Sequence, residues 1–113
     1  MPIIEPADMI AGAPLPGWSG RFFHSANMTF ALWDVAVGAA DLHEHHHDQE
    51  EVWNVVDGDV VLVLDGTEHR LRAGIAAVIA PHQSHAVKIV GPFRAIVADH
   101  PVRTQLPGVV ARL

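Results

Sequence analysis

From Ser19 onward the chain reads as a series of short runs rich in β-branched and aromatic residues: GRFFHS, MTFALWDVAV, ADLHEHHH, EEVWNVV, DVVLVLD, TEHRL, AAVIA, HAVKIV and RAIVAD. Gly, Pro, Asn or Asp punctuates most of them, and this spacing predicts an all-β sandwich or barrel. In EVWNVV the period of two puts Glu51, Trp53 and Val55 on one face, with the apolar pair marking that face as inward. The run VVLVL, residues 60–64, does not alternate, which predicts that both of its faces are covered, by core or by a partner subunit. Asp57-Gly58 and Asp65-Gly66 flank it and predict tight hairpin turns, because such turns need positive φ. No window carries a helical period, and no repeat of solenoid length is visible. Residues 1–18, with Pro2, Pro6, Pro14 and Pro16, predict an extended arm or edge strand ahead of a single domain spanning 19–113.

Composition narrows the chemistry. Of 113 residues half are apolar and 18% are charged, the balance of a chain able to fold around one core. The net charge is -6 and Lys88 is the only lysine, which argues against nucleic acid as a partner. There is no cysteine, so any metal must be held by nitrogen or oxygen, and disulfides and thiol nucleophiles are excluded. There is no tyrosine either, which removes a phenol base. No stretch approaches the roughly 18 apolar residues of a membrane span, and the expected location is cytoplasmic.

The candidate chemistry lies in HEHHHDQEEVWNVVDG, residues 43–58, which holds four of the nine histidines. Alternation puts His43, His45 and His47 on one face and Glu44 and His46 on the other. Same-face neighbours lie about 7 Å apart, close enough for two imidazoles to converge on one ion. His45 and His47 form a candidate clamp, and Glu51 enters the interior they face. On this run alone a solvated loop and a metal site remain equally open.

The spacing from His45 to His47, Glu51 and Gly58 resembles the first motif of the cupin superfamily, whose members are small β-barrels. GIAAVIAPHQSH resembles the second motif, opening at Gly74 and ending at His85. The resemblance covers roughly residues 28–100. Ala80, His82 and Ile89 depart from the usual pattern, at the turn and not at the ligands. The resemblance implies a double-stranded β-helix, or jelly roll, in which His45, His47, Glu51 and His85 bind one divalent transition metal. Three imidazoles and a carboxylate suit Fe, Mn, Ni, Zn, Co or Cu and do not choose among them. A six-coordinate ion would keep two positions open.

Glu51 and His82 are the catalytic candidates, His82 as a proton shuttle in the turn ahead of His85, with an exposed turn histidine the commoner alternative. His43 is read as a pocket-wall residue. Arg21 and Arg94 are candidates for pairing an anionic substrate, with a plain surface location the favoured alternative for each. Phe22, Phe23, Phe30, Trp33 and Trp53 are expected in the core, with Trp53 also walling the pocket. His24, His69 and His100 are expected in surface or structural roles. The resemblance implies a metalloenzyme acting on a small molecule, with dioxygenase-type oxidation first and isomerase or lyase chemistry next. The alternative is a non-catalytic barrel that binds or senses a metal or small ligand. The apolar VVLVL segment and the proline-bearing arm predict a homodimer.

Overall fold

The computed structural model describes residues 3–108. Nine antiparallel strands follow a single short helical turn, the 3₁₀ turn Pro6–Asp8: β1 (Ile10–Gly12), β2 (Trp18–His24), β3 (Thr29–Val35), β4 (Leu42–His45), β5 (Glu50–Leu64), β6 (Thr67–Arg72), β7 (Ala76–Ile79), β8 (His85–Lys88) and β9 (Phe93–His100). They form one curled sheet in the order β1-β2-β3-β9-β5-β8-β4, with β6 and β7 also paired to β5. The expected all-β barrel is what the chain forms. Within the proline-bearing stretch, β1 is an edge strand on β2, while Trp18, its last residue, is core.

β5 organises the barrel. Its first half pairs with β9 and β7, its second half with β6 and β8. The strand therefore passes from one side of the barrel to the other, and the break comes between Val55 and Asp57, where the register shifts against β9. The hairpin expected at Asp57-Gly58 does not form. Gly58 has φ +76 inside a continuous strand, and a β-carbon there would stand 2.1 Å from the Pro92 carbonyl oxygen. The glycine serves a bulge that bends the strand, a use of positive φ that a turn dipeptide does not distinguish from a hairpin. Asp65-Gly66 does make the expected turn: both residues have positive φ, 49 and 81, and Leu64 pairs with Thr67 across it.

Alternation sorts the core. Trp18 and Phe22 from β2, Ala31, Trp33 and Val35 from β3, Trp53 and Val55 from β5, and Phe93, Ala95 and Val97 from β9 are all buried. Trp18, Trp33, Phe22 and Phe93 meet edge to face, with ring centroids 5.4–5.8 Å apart. Phe23 and Phe30 are the exceptions to the expected aromatic core. They are half-buried, are cross-strand partners, and stack on each other outside it at 5.0 Å. In VVLVL, Val60 and Leu62 belong to the core. Val61 faces the other way and is also buried, flanked by its partners Arg70 and Lys88. The Lys88–Glu68 ion pair joins β8 to β6 across β5 on this face, so the chain's own neighbours cover it.

Candidate metal centre

The site forms where three strand ends and one connection meet. His45 ends β4 and His85 begins β8, and the two are cross-strand partners. Glu51 is the second residue of β5 and pairs with Asp99 near the end of β9. His47 lies in the β4–β5 connection, whose position is fixed by the His82 amide donating to the His47 carbonyl at 2.8 Å. The ring centroids of His45 and His85 are 4.1 Å apart and those of His47 and His85 5.1 Å. One nitrogen from each of His45, His47 and His85 lies within 4.8 Å of the others, and a second group at the same spacing comprises His47, Glu51 and Asp99. His47 Nε2 is 3.1 Å from Glu51 Oε1, and His85 Nε2 is 3.6 Å from Glu51 Oε2. All four residues named from the sequence converge.

Hydrogen bonds fix which atoms face the group. His45 Nδ1 is 2.9 Å from the His43 carbonyl and His85 Nδ1 is 2.9 Å from the Gln83 carbonyl. A carbonyl only accepts, so both Nδ1 atoms carry the proton and both Nε2 atoms present a lone pair. The buried His85 Nε2, His47 Nδ1 and Asp99 Oδ1 have no hydrogen-bond partner among the described residues. Buried polar atoms are seldom left so, and a cation that accepts imidazole and carboxylate donors fits the His85 Nε2 beside Glu51. Trp53 Nε1 donates to Glu51 Oε2 at 2.6 Å and fixes that carboxylate from the core side.

Burial opposes ionisation of Glu51, but the hydrogen bonds with His47 and Trp53 and the nearby His85 outweigh it and hold the carboxyl down at about 2. Asp99 goes the other way: burial, followed by the charge of Glu51, pushes its carboxyl up to about 7, against the pull of Arg103. The hydrogen bond to Glu51 raises His47 from its ordinary imidazole value. Burial lowers His85, which favours the neutral ring that ligates a metal.

A cavity of about 340 Å³ opens beside the group, lined by an aromatic set, Trp18, Phe22, Trp33 and Trp53, and a titratable set, His45, Glu51 and Asp99. Trp53 walls the pocket as expected. Arg103, Gln105, Leu106 and Pro107 from the segment after β9 line it too. A second pocket of about 230 Å³ is lined by His47, and Arg103 and Gln105 line both.

Other expectations fare differently. His43 is exposed; the register of β4 against β8 shifts between Leu42 and His45, so Leu42 and His45 line the cavity and simple alternation fails. The role of His43 is its carbonyl. Glu44 and His46 are exposed as expected. His82 is not brought to the group: its side chain is 66% exposed and its Nδ1 lies 3.5 Å from Asp48. Arg21 and Arg94 are exposed on the outer face. Asp99 and Arg103 are the site residues that sequence reasoning missed. Extending the alternation of Phe93, Ala95 and Val97 by one step puts Asp99 inward. Arg103 lies in an aperiodic stretch and left no such signal.

Residues 31–99 match the Cupin domain family. Among solved structures, an RmlC-like cupin from Shewanella frigidimarina superposes with a TM-score of 0.80 at 19% identity, covering 90% of this chain and 92% of that one. KdgF from a Halomonas species superposes with a TM-score of 0.79 at 22% identity, covering 90% and 96%. No curated protein sequence matches the chain. No helix among the described residues is long and apolar enough to cross a membrane.

Proposed function

The chain belongs to the cupin family, and from that premise we propose that it binds one divalent transition metal through His45, His47, Glu51 and His85 and uses it to transform a small molecule. The observation that carries this reading is the pair of imidazoles locked by backbone carbonyls and packed against each other, with the His85 Nε2 3.6 Å from the buried Glu51 carboxylate. Oxygenation at an iron centre is the first reaction to test, and isomerisation or lyase chemistry follows. A bound ion would supply Lewis acidity and, if redox-active, electron transfer. The chain's own residues do the rest. The His43 and Gln83 carbonyls orient the rings, Trp53 holds Glu51, and the tryptophans exclude water from the cavity. Asp99, poised near neutrality, can hold or release a proton beside Glu51. Of the two acid–base candidates named from the sequence, Glu51 lines the cavity and is favoured; His82 would act only through solvent.

Elemental analysis of the untagged protein, beside a variant with His45→Ala and His47→Ala, tests the site. Near-stoichiometric metal in the parent and none in the folded variant is expected. No metal in either, after loading with each candidate ion, overturns it. Tight ligand binding without turnover would favour the non-catalytic binding or sensing barrel.

We also propose a homodimer. Phe23, Phe30, Ala98, Val52 and Val78 are successive cross-strand partners and form one apolar row across the outer face of the sheet. Val78 is 60% exposed. This row supports association better than VVLVL, whose outer face is already covered. A monomeric mass in sedimentation at micromolar concentration overturns it.

A further inference from the structure

Among the described residues Arg103 is the only arginine or lysine lining either pocket. Its side chain is 22% exposed, far less than arginines outside such sites. Its backbone amide donates to the buried Thr29 hydroxyl at 2.9 Å, which fixes the start of the side chain independently of its charge. The guanidinium itself makes no hydrogen bond to a described residue. Its nearest carboxylate oxygen, Asp99 Oδ2, is 3.6 Å from Nη1, well beyond the roughly 2.7–2.9 Å of a charge-assisted bond. A half-buried, fork-shaped donor with its bonds unspent is a recognition group for a planar anion. Trp18, Phe22, Trp33 and Trp53 line the same cavity and give it an aromatic surface. A volume of about 340 Å³ lies at the small end of the roughly 300–1,000 Å³ range of small-molecule sites.

We propose that the cavity takes a small aromatic or similarly flat apolar carboxylate, its body against the tryptophans and its carboxylate on Arg103. The inference deepens the small-molecule reading above and rests on it for the site. It does not require the metal. A bound dication would add to the attraction by offsetting Glu51, so anion affinity should be higher in loaded protein than in stripped protein.

The test is calorimetric titration of the full chain, chelator-treated and Mn²⁺-loaded, with 3-phenylpropanoate and with its uncharged analogue 3-phenylpropanamide. The two probes share shape and differ in charge. The acid is expected to bind the parent about tenfold more tightly than the amide. That preference should vanish in Arg103→Met and fall by more than half in Arg103→Lys, which keeps the charge and loses the fork. The amide binding as well as the acid in the parent, or the preference surviving Arg103→Met, overturns the proposal. If Arg103→Met does not fold, Arg103→Lys decides, and an undiminished preference there overturns it. Failure of the metal reading appears separately, as absence of manganese in the loaded parent by elemental analysis. The acid-to-amide comparison in chelator-treated protein still decides the proposal in that case.

Discussion

The two walls of the cavity are built on opposite principles. On the aromatic side the rings satisfy one another: Trp18, Phe22 and Trp33 meet edge to face, and the Trp18 indole donates to the Ala40 carbonyl at 2.7 Å. On the titratable side, polar atoms are buried without partners. All three unpartnered buried side-chain atoms among the described residues, on His47, His85 and Asp99, belong to the titratable cluster of which this wall is the exposed part. An unsatisfied buried polar group costs roughly 1–3 kcal/mol, so this wall is held in place at the expense of stability. Such concentrated dissatisfaction marks a binding site, whereas the aromatic wall marks the scaffold that supports it. Trp53 joins the two, with its ring tilted against Phe93 at 6.2 Å and its indole nitrogen on Glu51.

If the walls have these separate roles, truncating the aromatic one should produce the largest loss of stability and leave metal stoichiometry intact. Trp33→Ala is expected to cost about 3–5 kcal/mol in denaturant unfolding, with metal content per folded chain unchanged. Loss of metal from the folded variant would mean that the aromatic wall positions the ligands as well. The next effect in size belongs to the titratable wall. With metal at about a hundredfold over its dissociation constant, binding adds about 2.7 kcal/mol to the parent by mass action. Glu51→Gln should lose most of this metal-dependent increment in thermal melts. An equal increment in parent and variant would remove Glu51 from the ligand set.

This division also explains what could be read in the sequence. The aromatic wall follows from period-two alternation along β2, β3 and β5, which is a local property, so Phe22, Trp33 and Trp53 were legible. His45, His47, Glu51 and His85 were legible because spacing within two short motifs carries them. What failed depended on departures from regular geometry. The β4 register shift turned His43 outward, and the bulge at Gly58 carried β5 through an apparent hairpin. Arg103 comes to the cavity from beyond the last strand, through a contact with Thr29 that is remote in sequence. Nothing local encodes that approach. Arg21 and Arg94 sat in recognisable strands, but on the outer face.

A pH-dependent effect concerns the cost carried by the titratable wall in chelator-treated protein. The Asp99 carboxyl is raised from 3.8 to about 7 in the folded chain. The native state therefore holds a proton that the unfolded state releases, and the contribution of Asp99 to stability is full below pH 3.8 and is lost as pH rises toward 7. The Glu51 carboxyl is lowered from 4.5 to about 2, so its own contribution changes below pH 4.5. The lowered His85 opposes the Asp99 trend and the raised His47 reinforces it, both around the imidazole range. Comparing parent with Asp99→Asn isolates Asp99 from these three. The variant should gain on the parent steadily between pH 4 and pH 7 in urea unfolding. A constant difference across that range would show that Asp99 is already ionised beside Glu51.

The smallest expected change fixes where the titratable wall ends. His82 is three residues from His85, yet its side chain is exposed, its backbone has φ +65, and its ring faces Asp48 and not the buried group. Asparagine tolerates that backbone conformation, so His82→Asn removes the imidazole without adding strain. Stability should change by less than about 0.5 kcal/mol, and the backbone bond from residue 82 to the His47 carbonyl should persist because it uses only the amide. Metal content should be the same as in the parent. Reduced metal occupancy with unchanged melting would place an exposed imidazole within reach of the ion and extend the wall outward to the solvent side of His47.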